Sequence, residues 1–195
     1  MIHSHPHGAG HLFARDAAGV MLTWAAGPYD ESHDAADQGE LQIYHGDPWR
    51  IASNNIWSKS GIRQHVADHN CLQFGTANQA MATCSMTHND DGNLLNAFAD
   101  LAPAYGQPVT RSVQWDRSAR KITITDSFSG QAAWRCNVNE LPSVSGDIAM
   151  SETMTIRCVG ATPVIVDMKS VEPAASGPWR IEFQVTDGCT VEITW

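Results

Sequence analysis

The chain has 195 residues, a length that fits one domain with a single large hydrophobic core. Its 12 Lys and Arg residues are outnumbered by 21 Asp and Glu residues, which gives a formal net charge of −9. A field of this sign repels nucleic-acid phosphates and anionic membrane surfaces, so we expect neither as a partner. A polyanionic ligand could bind only through a local basic patch.

The sequence carries no targeting signal and no paired-cysteine motif. No stretch approaches the roughly 20 apolar residues that span a bilayer, and residues 1–7 lack the basic and apolar regions of a signal peptide. The sequence therefore does not specify the cellular compartment of the protein. The cysteines are widely spaced and include no CxxC, so we expect free thiols, with a bridge between Cys136 and Cys158 as the alternative. The five cysteines are Cys71, Cys84, Cys136, Cys158 and Cys189.

Histidine is concentrated in the first eleven residues. His3, His5, His7 and His11 could bind a divalent metal if this segment were extended. A flexible polar segment is the simpler interpretation, so we predict a flexible segment at 1–11 and one domain at 12–195.

Alternation of apolar and polar residues predicts strands in the first half of the chain. They are expected near residues 20–26, 41–45, 50–52 and 72–74. Leu94, Leu95, Phe98 and Leu101 would share one face of a helix, which predicts a helix over 93–101 that Pro103 ends.

Period-two alternation dominates the second half of the chain. It predicts strands around residues 113–115, 122–124, 132–138, 154–158 and 164–168. The runs 179–186 and 189–195, separated by Asp187 and Gly188, predict a terminal β-hairpin. Together these patterns predict an all-β fold, an antiparallel β-sandwich of two large sheets with one short helix near 93–101.

Histidines close to two of the predicted strands are the main candidates for chemistry. His33 and Asp37 lie in a loop before the strand at 41–45, and His69 and Asn70 precede the strand at 72–74. A histidine flanked by carboxylates can have its tautomer and pKa set for proton transfer. The same residues could instead organise a turn and cap a strand end. The sequence contains no nucleophile-elbow, zincin, P-loop or dinucleotide-binding motif.

Several segments of the sequence are informative when they are considered together and in chain order. They are Ala26 to Tyr44 with His33 and Asp37, His69-Asn70-Cys71-Leu72, Ala99-Asp100-Leu101-Ala102-Pro103-Ala104-Tyr105-Gly106, and Arg111-Ser112-Val113 followed by Ile122-Thr123-Ile124-Thr125-Asp126. Their order and spacing resemble the C-terminal β-sandwich domain of the heparinase II/III-like polysaccharide lyases. The resemblance covers most of residues 12–195.

The resemblance implies a function in β-elimination of uronic-acid polysaccharides. In this reaction a base removes the proton α to the uronate carboxylate, the developing charge is neutralised, and an acid protonates the leaving oxygen. Complete enzymes of the family join a helical toroid to the β-sandwich, and this chain resembles the sandwich alone. We therefore expect an acidic polysaccharide and a helical toroid domain or subunit as partners, with little activity in the isolated chain. Relatives are commonly periplasmic or secreted.

The resemblance also assigns catalytic positions. His33 matches the family histidine that transfers a proton or contacts the uronate, and Asn70 is the second expected catalytic residue. Some relatives have a tyrosine shortly before the segment that corresponds to His69 and Asn70. Residues 56–61, at the corresponding place in this chain, contain no tyrosine.

The resemblance implies a structural divalent metal, zinc or calcium, but its ligand positions are poorly kept. His69 retains a ligand position and Asp37 matches a motif aspartate, whereas two usual ligands fall on Ala35 and near Ser53. One imidazole does not hold zinc, since structural sites ordinarily have four ligands. We expect the site to be lost, or rebuilt from His33, Asp37, His65 and His69.

Aromatic and basic residues near the same loops are candidates for substrate binding. They are Trp49, Arg50, Trp57, Lys59 and Arg63. Trp faces stack on sugar rings and cationic side chains pair with carboxylate or sulfate, although these could also be ordinary rim and core residues. The main interpretation is thus the sandwich domain of a polysaccharide lyase. The alternatives are a non-catalytic carbohydrate-binding or structural module, and a protein that binds metal through its terminal histidines.

Overall fold

The computed structural model describes residues 10–28, 36–46, 49–52, 57–58, 61–62, 65–171 and 178–195; at 57–58, 61–62 and 171 the description is of the backbone. Short strands dominate these residues. In chain order they are β1 His11–Arg15, β2 Met21–Ala25, β3 Leu41–Tyr44, β4 Trp57–Ser58, β5 Gly61–Ile62, β6 Leu72–Gln73, β7 Ser85–Asp90, β8 Leu94–Asp100, β9 Thr110–Asp116, β10 Lys121–Ser127, β11 Gln131–Val138, β12 Ser143–Ser145, β13 Ile148–Met150, β14 Thr155–Cys158, β15 Pro163–Asp167, β16 Trp179–Thr186 and β17 Cys189–Thr194.

Helix is confined to single turns in the described part of the chain. A 3-10 helix spans Val66–Asp68, α1 spans Ala102–Tyr105 and α2 spans Met168–Val171. Among the described residues, no helix has the length and apolar character needed to cross a bilayer.

The larger sheet has eight strands in the order β12-β13-β14-β17-β10-β9-β8-β7, and each neighbouring pair is antiparallel. The alternation along these strands turns one side chain inward and the next outward. On β9, for example, Val113 and Trp115 are buried whereas Ser112 and Gln114 are exposed.

The second sheet is assembled from two parts. One part has the order β15-β16-β11-β6 and the other has the order β1-β2-β3. Ile51 joins them, because it forms antiparallel bridges to Ile43 of β3 and to Val138 of β11.

One hydrophobic core fills the space between the two sheets. Large side chains from both sheets are fully buried there, among them Trp24, Leu95, Trp115 and Phe183. Each such side chain stabilises the fold by about 1.5–3 kcal/mol relative to its exposed state. The predicted fold class, an all-β antiparallel β-sandwich, is confirmed.

The predicted helix over 93–101 is wrong, because this segment forms β8. Leu95, Ala97 and Ala99 are buried, and they alternate with outward-facing residues such as Phe98. The two inward alanines are small, so the period-two pattern is weak in the sequence. Backbone pairing with β7 on one side and β9 on the other stabilises the strand. The helix is the short α1 instead, and Pro103 lies in its first turn.

The predicted terminal hairpin is also wrong. The strands β16 and β17 exist, but β16 pairs with β11 and β15 whereas β17 pairs with β10 and β14 of the other sheet. Asp187 and Gly188, at φ angles of 54° and 100°, form the corner between the sheets. The corner pairs with Gly130, which accepts from Asp187 N at 2.9 Å and donates to Asp187 Oδ1 at 2.7 Å.

All five cysteines are unpaired, as their spacing predicts. The alternative bridge between Cys136 and Cys158 is wrong. Cys136 belongs to β11 of the second sheet, and Cys158 belongs to β14 of the larger sheet. Both thiols are buried in the core.

Candidate functional site

The loop before β3 is held firmly at one end of the sandwich. The Gln38 side chain accepts a hydrogen bond from Gly27 N at 2.9 Å. Its backbone pairs twice with the Gln79 amide, since Gln38 N donates to Oε1 at 2.9 Å and Gln79 Nε2 donates to Gln38 O at 2.8 Å. Every one of these groups is buried, so the loop has a defined path into β3.

The same loop is anchored beside the segment that carries His69. Ala36 packs with Val66 and Cys71 in a small buried cluster apart from the main core. Ala36 follows His33 by three residues, so His33 lies shortly before this anchored part of the chain in the sequence.

Glu40 and His69 form a buried pair at the start of β3. His69 Nδ1 lies 3.2 Å from Glu40 Oε2, and the two side chains are 0% and 4% exposed. Burial lowers the pKa of His69, but the hydrogen bond and charge of Glu40, with the charges of Asp37 and Asp68, raise it by more. The net shift is upward from the ordinary 6.5, which favours an imidazolium beside the Glu40 carboxylate.

Asn70 connects three backbone segments from a buried position. Its Nδ2 donates to Leu41 O at 3.0 Å and to Ala52 O at 3.2 Å. Its Oδ1 accepts from Asn137 N at 2.8 Å and from Asn137 Nδ2 at 3.0 Å. Asn70 is only 3% exposed, so its amide is fully used in joining β3, the Ile51 segment and β11.

An ion pair on the inward face of the larger sheet contacts this network. The Arg111 guanidinium binds the Asp126 carboxylate through two hydrogen bonds of 2.7 and 2.8 Å. Arg111 Nη1 also donates to Gly39 O at 2.6 Å and to Asn70 O at 3.4 Å. Burial lowers the pKa of Arg111 and the charge of Asp126 raises it by more, so the guanidinium stays charged.

Comparison with known proteins finds solved structures with a similar fold. No family model matches the chain, and no curated protein sequence matches it. The heparan sulfate lyase HepC from Pedobacter heparinus matches with a TM-score of 0.80 at 12% identity, over 100% of this chain and 36% of that chain. A heparinase III gene product with methylated lysines gives 0.78 at 12% identity, over 98% and 35% of the two chains. A further heparinase III gives 0.75 at 13% identity, over 95% and 35%. The chain has the fold of one part of heparinase III.

The match covers only part of each solved structure. The chain spans about 35% of the length of these heparinase III structures. The sequences are 12–13% identical, so the similarity establishes the fold of this portion. The match therefore supports the β-sandwich fold.

Several of the predicted site residues fall outside the described part of this heparinase III fold. These are His33, Ala35, Ser53, Lys59 and Arg63, and for Trp57 only the backbone of β4 is described. Asp37 is half-buried and its charge acts on His69. His65 caps the 3-10 helix, with its Nδ1 accepting from Ala67 N at 3.0 Å.

Trp49 and Arg50 lie at the opposite end of β3 from Glu40. The Trp49 ring packs edge-on against Tyr44 with 5.4 Å between centroids. Arg50 donates to His45 O at 3.1 Å and forms an ion pair with Glu140 at 2.5 Å. The structure thus brings His69, Asn70 and Asp37 together and places Trp49 and Arg50 elsewhere.

The described residues do not fit the divalent metal that the heparinase II/III-like resemblance implies. Among them, no group of three or more His, Cys, Asp or Glu side chains converges as a metal site. Ala35 has no donor atom, and His69 Nδ1 faces the Glu40 carboxylate. No chemical step in this protein is therefore assigned to a metal.

Sequence reasoning missed Glu40, Arg111, Asp126 and Asn137. For the ion pair a signal is present, because Arg111 shares the inward face of β9 with Val113, and charged residues are seldom buried without a partner. No local pattern indicates that Glu40 is buried beside a histidine, because its partner His69 is 29 positions away in the sequence.

Proposed function

We propose that this chain is the C-terminal β-sandwich domain of a heparinase II/III-like polysaccharide lyase. The observation that carries the proposal is the match of the whole chain to about a third of the heparan sulfate lyase from Pedobacter heparinus, at a TM-score of 0.80. The order and spacing of the segments that resemble this family also support the proposal. The substrate class that follows is an acidic, uronate-containing polysaccharide.

His33 is the proposed catalytic residue of this domain, in proton transfer or in contact with the uronate. The proposal is supported by its place three residues before Ala36, which is anchored against Val66. General acid–base catalysis requires hydrogen-bond reach to the reacting atom, and the described residues that follow His33 have a defined path into β3.

Asn70 is the second catalytic residue that the resemblance implies, but in this proposal it acts, with His69, as a positioning residue. Both are buried, and the Asn70 amide is engaged with Leu41, Ala52 and Asn137. Their role is to hold the loop that follows His33 through Glu40 and the β3 backbone. The remaining proposed substrate contacts are Trp57, Lys59 and Arg63, with Trp49 and Arg50 at the opposite end of β3.

A helical toroid domain or subunit completes the proposed active site. β-Elimination needs a base, an acid and a group that neutralises the carboxylate, and removing one such group ordinarily costs a factor of about 100 or more. We therefore expect the isolated chain to have little or no lyase activity. Incubation with heparan sulfate or alginate, followed by ultraviolet absorbance of unsaturated uronate, tests this directly. Accumulation of product from the chain alone would contradict the need for a helical toroid domain or subunit.

The role of His33 is tested in a complex with a helical toroid subunit. His33→Ala is expected to lower kcat by about 100-fold or more while the complex still forms. His11→Ala is the matched control, since His11 is an exposed histidine on β1, and it is expected to leave turnover unchanged. Equal turnover by His33→Ala and the unsubstituted chain would remove His33 from the chemistry.

The second candidate function is a non-catalytic carbohydrate-binding or structural module. The burial of His69 and Asn70, 0% and 3% exposed, favours it because neither side chain is open to a substrate. Polysaccharide binding that is unchanged in His33→Ala, with no activity in any complex, would support the module and contradict the lyase.

A further inference from the structure

The outward face of the larger sheet carries a groove that lies away from the candidate site. Its volume is about 630 Å³, and it is lined by residues from β7 to β10. Six of these residues form what we call the polar strip: Asn96 and Phe98 of β8, Ser112 and Gln114 of β9, and Thr123 and Thr125 of β10.

Strand register arranges the polar strip in two rows across the sheet. Phe98 pairs with Ser112, which pairs with Thr125. Asn96 pairs with Gln114, which pairs with Thr123. Adjacent strands lie about 4.8 Å apart and the rows about 7 Å apart, so the strip is a compact platform of side chains that point the same way.

The chemistry of the polar strip is neutral and rich in hydrogen-bonding groups. Among the described residues that line the groove, none is Lys, Arg, Asp or Glu, in a chain whose net charge is −9; the titratable side chain there is His88 of β7. Gln114 Nε2 donates to Asn96 Oδ1 at 3.0 Å, which orients both amides at the surface. Charged residues begin at its borders, where Lys121 pairs with Glu192.

Phe98 is the exposed aromatic of this platform. Phe98 is 45% exposed on β8, in the row that it shares with Ser112 and Thr125 and beside the row that contains Asn96. An exposed ring beside amides and hydroxyls suits a ligand with one apolar face and many hydroxyl groups. A protein interface would require a larger apolar centre, and an anionic polymer would require cations.

We propose that the polar strip binds a neutral oligosaccharide chain. The Phe98 ring packs against the C–H face of one sugar, and Asn96 and Gln114 exchange hydrogen bonds with hydroxyl groups on adjoining sugars. Ser112, Thr123 and Thr125 provide further donors and acceptors along the strip. The strip belongs to the larger sheet, whereas Glu40 and His69 border strands of the second sheet, and binding there does not depend on lyase activity.

Nuclear magnetic resonance on the isotope-labelled chain tests the site. The neutral probes are xylohexaose, cellohexaose and N-acetylchitohexaose, and an acidic mannuronate hexamer is the comparison. At least one neutral probe is expected to shift the backbone amides of 96–98, 112–114 and 123–125, and the acidic probe is expected not to. Unchanged strip amides with every neutral probe, or equal shifts with the acidic hexamer, would overturn the proposal.

Matched variants assign the binding to the strip. Phe98→Ala and Gln114→Ala are each expected to weaken the neutral probe about tenfold, as loss of a central contact does. Phe13→Ala and Gln184→Ala are the controls, since both residues are exposed on the second sheet, Phe13 at 38%. Equal weakening by the controls contradicts the site. So does self-association of the chain that Phe98→Ala abolishes, because a second copy would then occupy the strip.

Discussion

Arg111 and Asp126 are direct cross-strand partners on the inward faces of β9 and β10, and their side chains are 1% and 0% exposed. Two hydrogen bonds join the guanidinium to the carboxylate, and a third reaches Gly39 O. The pair therefore ties the larger sheet to the loop that enters β3. A planar guanidinium suits this task because it serves the carboxylate and a carbonyl oxygen at the same time.

Substitution Asp126→Ala is expected to destabilise the protein strongly. It leaves the Arg111 charge buried without its counter-charge, and removal of one partner of a buried pair costs about 3–5 kcal/mol. Urea unfolding followed by tryptophan fluorescence measures the loss of unfolding free energy.

The pair Arg157 and Asp147 is the control for this prediction. Their side chains are 45% and 27% exposed, and exposed pairs contribute little to stability. Asp147→Ala is therefore expected to leave the unfolding midpoint nearly unchanged. An Asp126→Ala protein as stable as Asp147→Ala would show that the buried pair does not hold the sheets together.

Substitution Asn70→Ala is expected to cost about 2–4 kcal/mol of unfolding free energy, because it leaves several buried backbone groups without their hydrogen bonds. Those groups are Leu41 O, Ala52 O and Asn137 N. Asn96→Ala is the matched control, since the Asn96 amide is exposed and bonds only to an exposed side chain, Gln114. Equal urea midpoints for the two variants would contradict the structural role of Asn70.

Much of the fold follows from the period-two pattern of the chain, which reports that one face of each strand is buried. The pattern does not report which sheet a strand joins, so it predicts β16 and β17 correctly and their pairing wrongly. The corner at Asp187 forms hydrogen bonds with Gly130 rather than closing a hairpin. These two residues are 57 positions apart in the sequence. In β8 the inward Ala97 and Ala99 hide the alternation because their side chains are small.

The candidate site is predicted only in part for the same reason. His69 and Asn70 stand out locally, as a histidine and an amide before a strand. Glu40 and Asn137 become their partners only after β3 and β11 are brought together by Ile51. Such pairings depend on tertiary neighbours, which local spacing cannot specify.

The Glu40 and His69 pair predicts a pH dependence of stability. The pKa of His69 is raised in the folded protein by Glu40, Asp37 and Asp68 despite its burial. A raised pKa means that the folded state binds the proton more tightly, so the stabilisation is complete below about pH 6.5 and is lost as the pH rises through the raised value. Urea unfolding between about pH 5.5 and 8 is expected to show stability falling with pH. The range ends near pH 8 because cysteine thiols begin to ionise above it. Their ionisation would also make stability fall as the pH rises.

Substitution Glu40→Gln isolates this effect. It removes the carboxylate nearest to His69 Nδ1, so the fall of stability over the same pH range is expected to become shallower. Glu140→Gln is the control, because it removes a carboxylate from an arginine pair that contains no histidine. A slope unchanged in Glu40→Gln would show that the pair does not control the protonation of His69.

Substitution Gly39→Ala is expected to destabilise the loop at the candidate site more than backbone strain alone can explain. Gly39 has a φ angle of +92°, and a Cβ there would lie 2.8 Å from Leu101 Cδ1. Gly19 is the matched control, since its φ angle is +88° and a Cβ there meets no atom within 4 Å. Gly19→Ala is expected to cost about 1 kcal/mol, whereas Gly39→Ala adds about 1–3 kcal/mol for the packing conflict. Displacement of Gly39 also moves its carbonyl oxygen away from Arg111 Nη1. Thermal and urea unfolding of the two variants measure the difference in unfolding free energy. Equal losses of stability would mean that the Leu101 side chain moves aside without cost and that the loop does not require glycine for close packing.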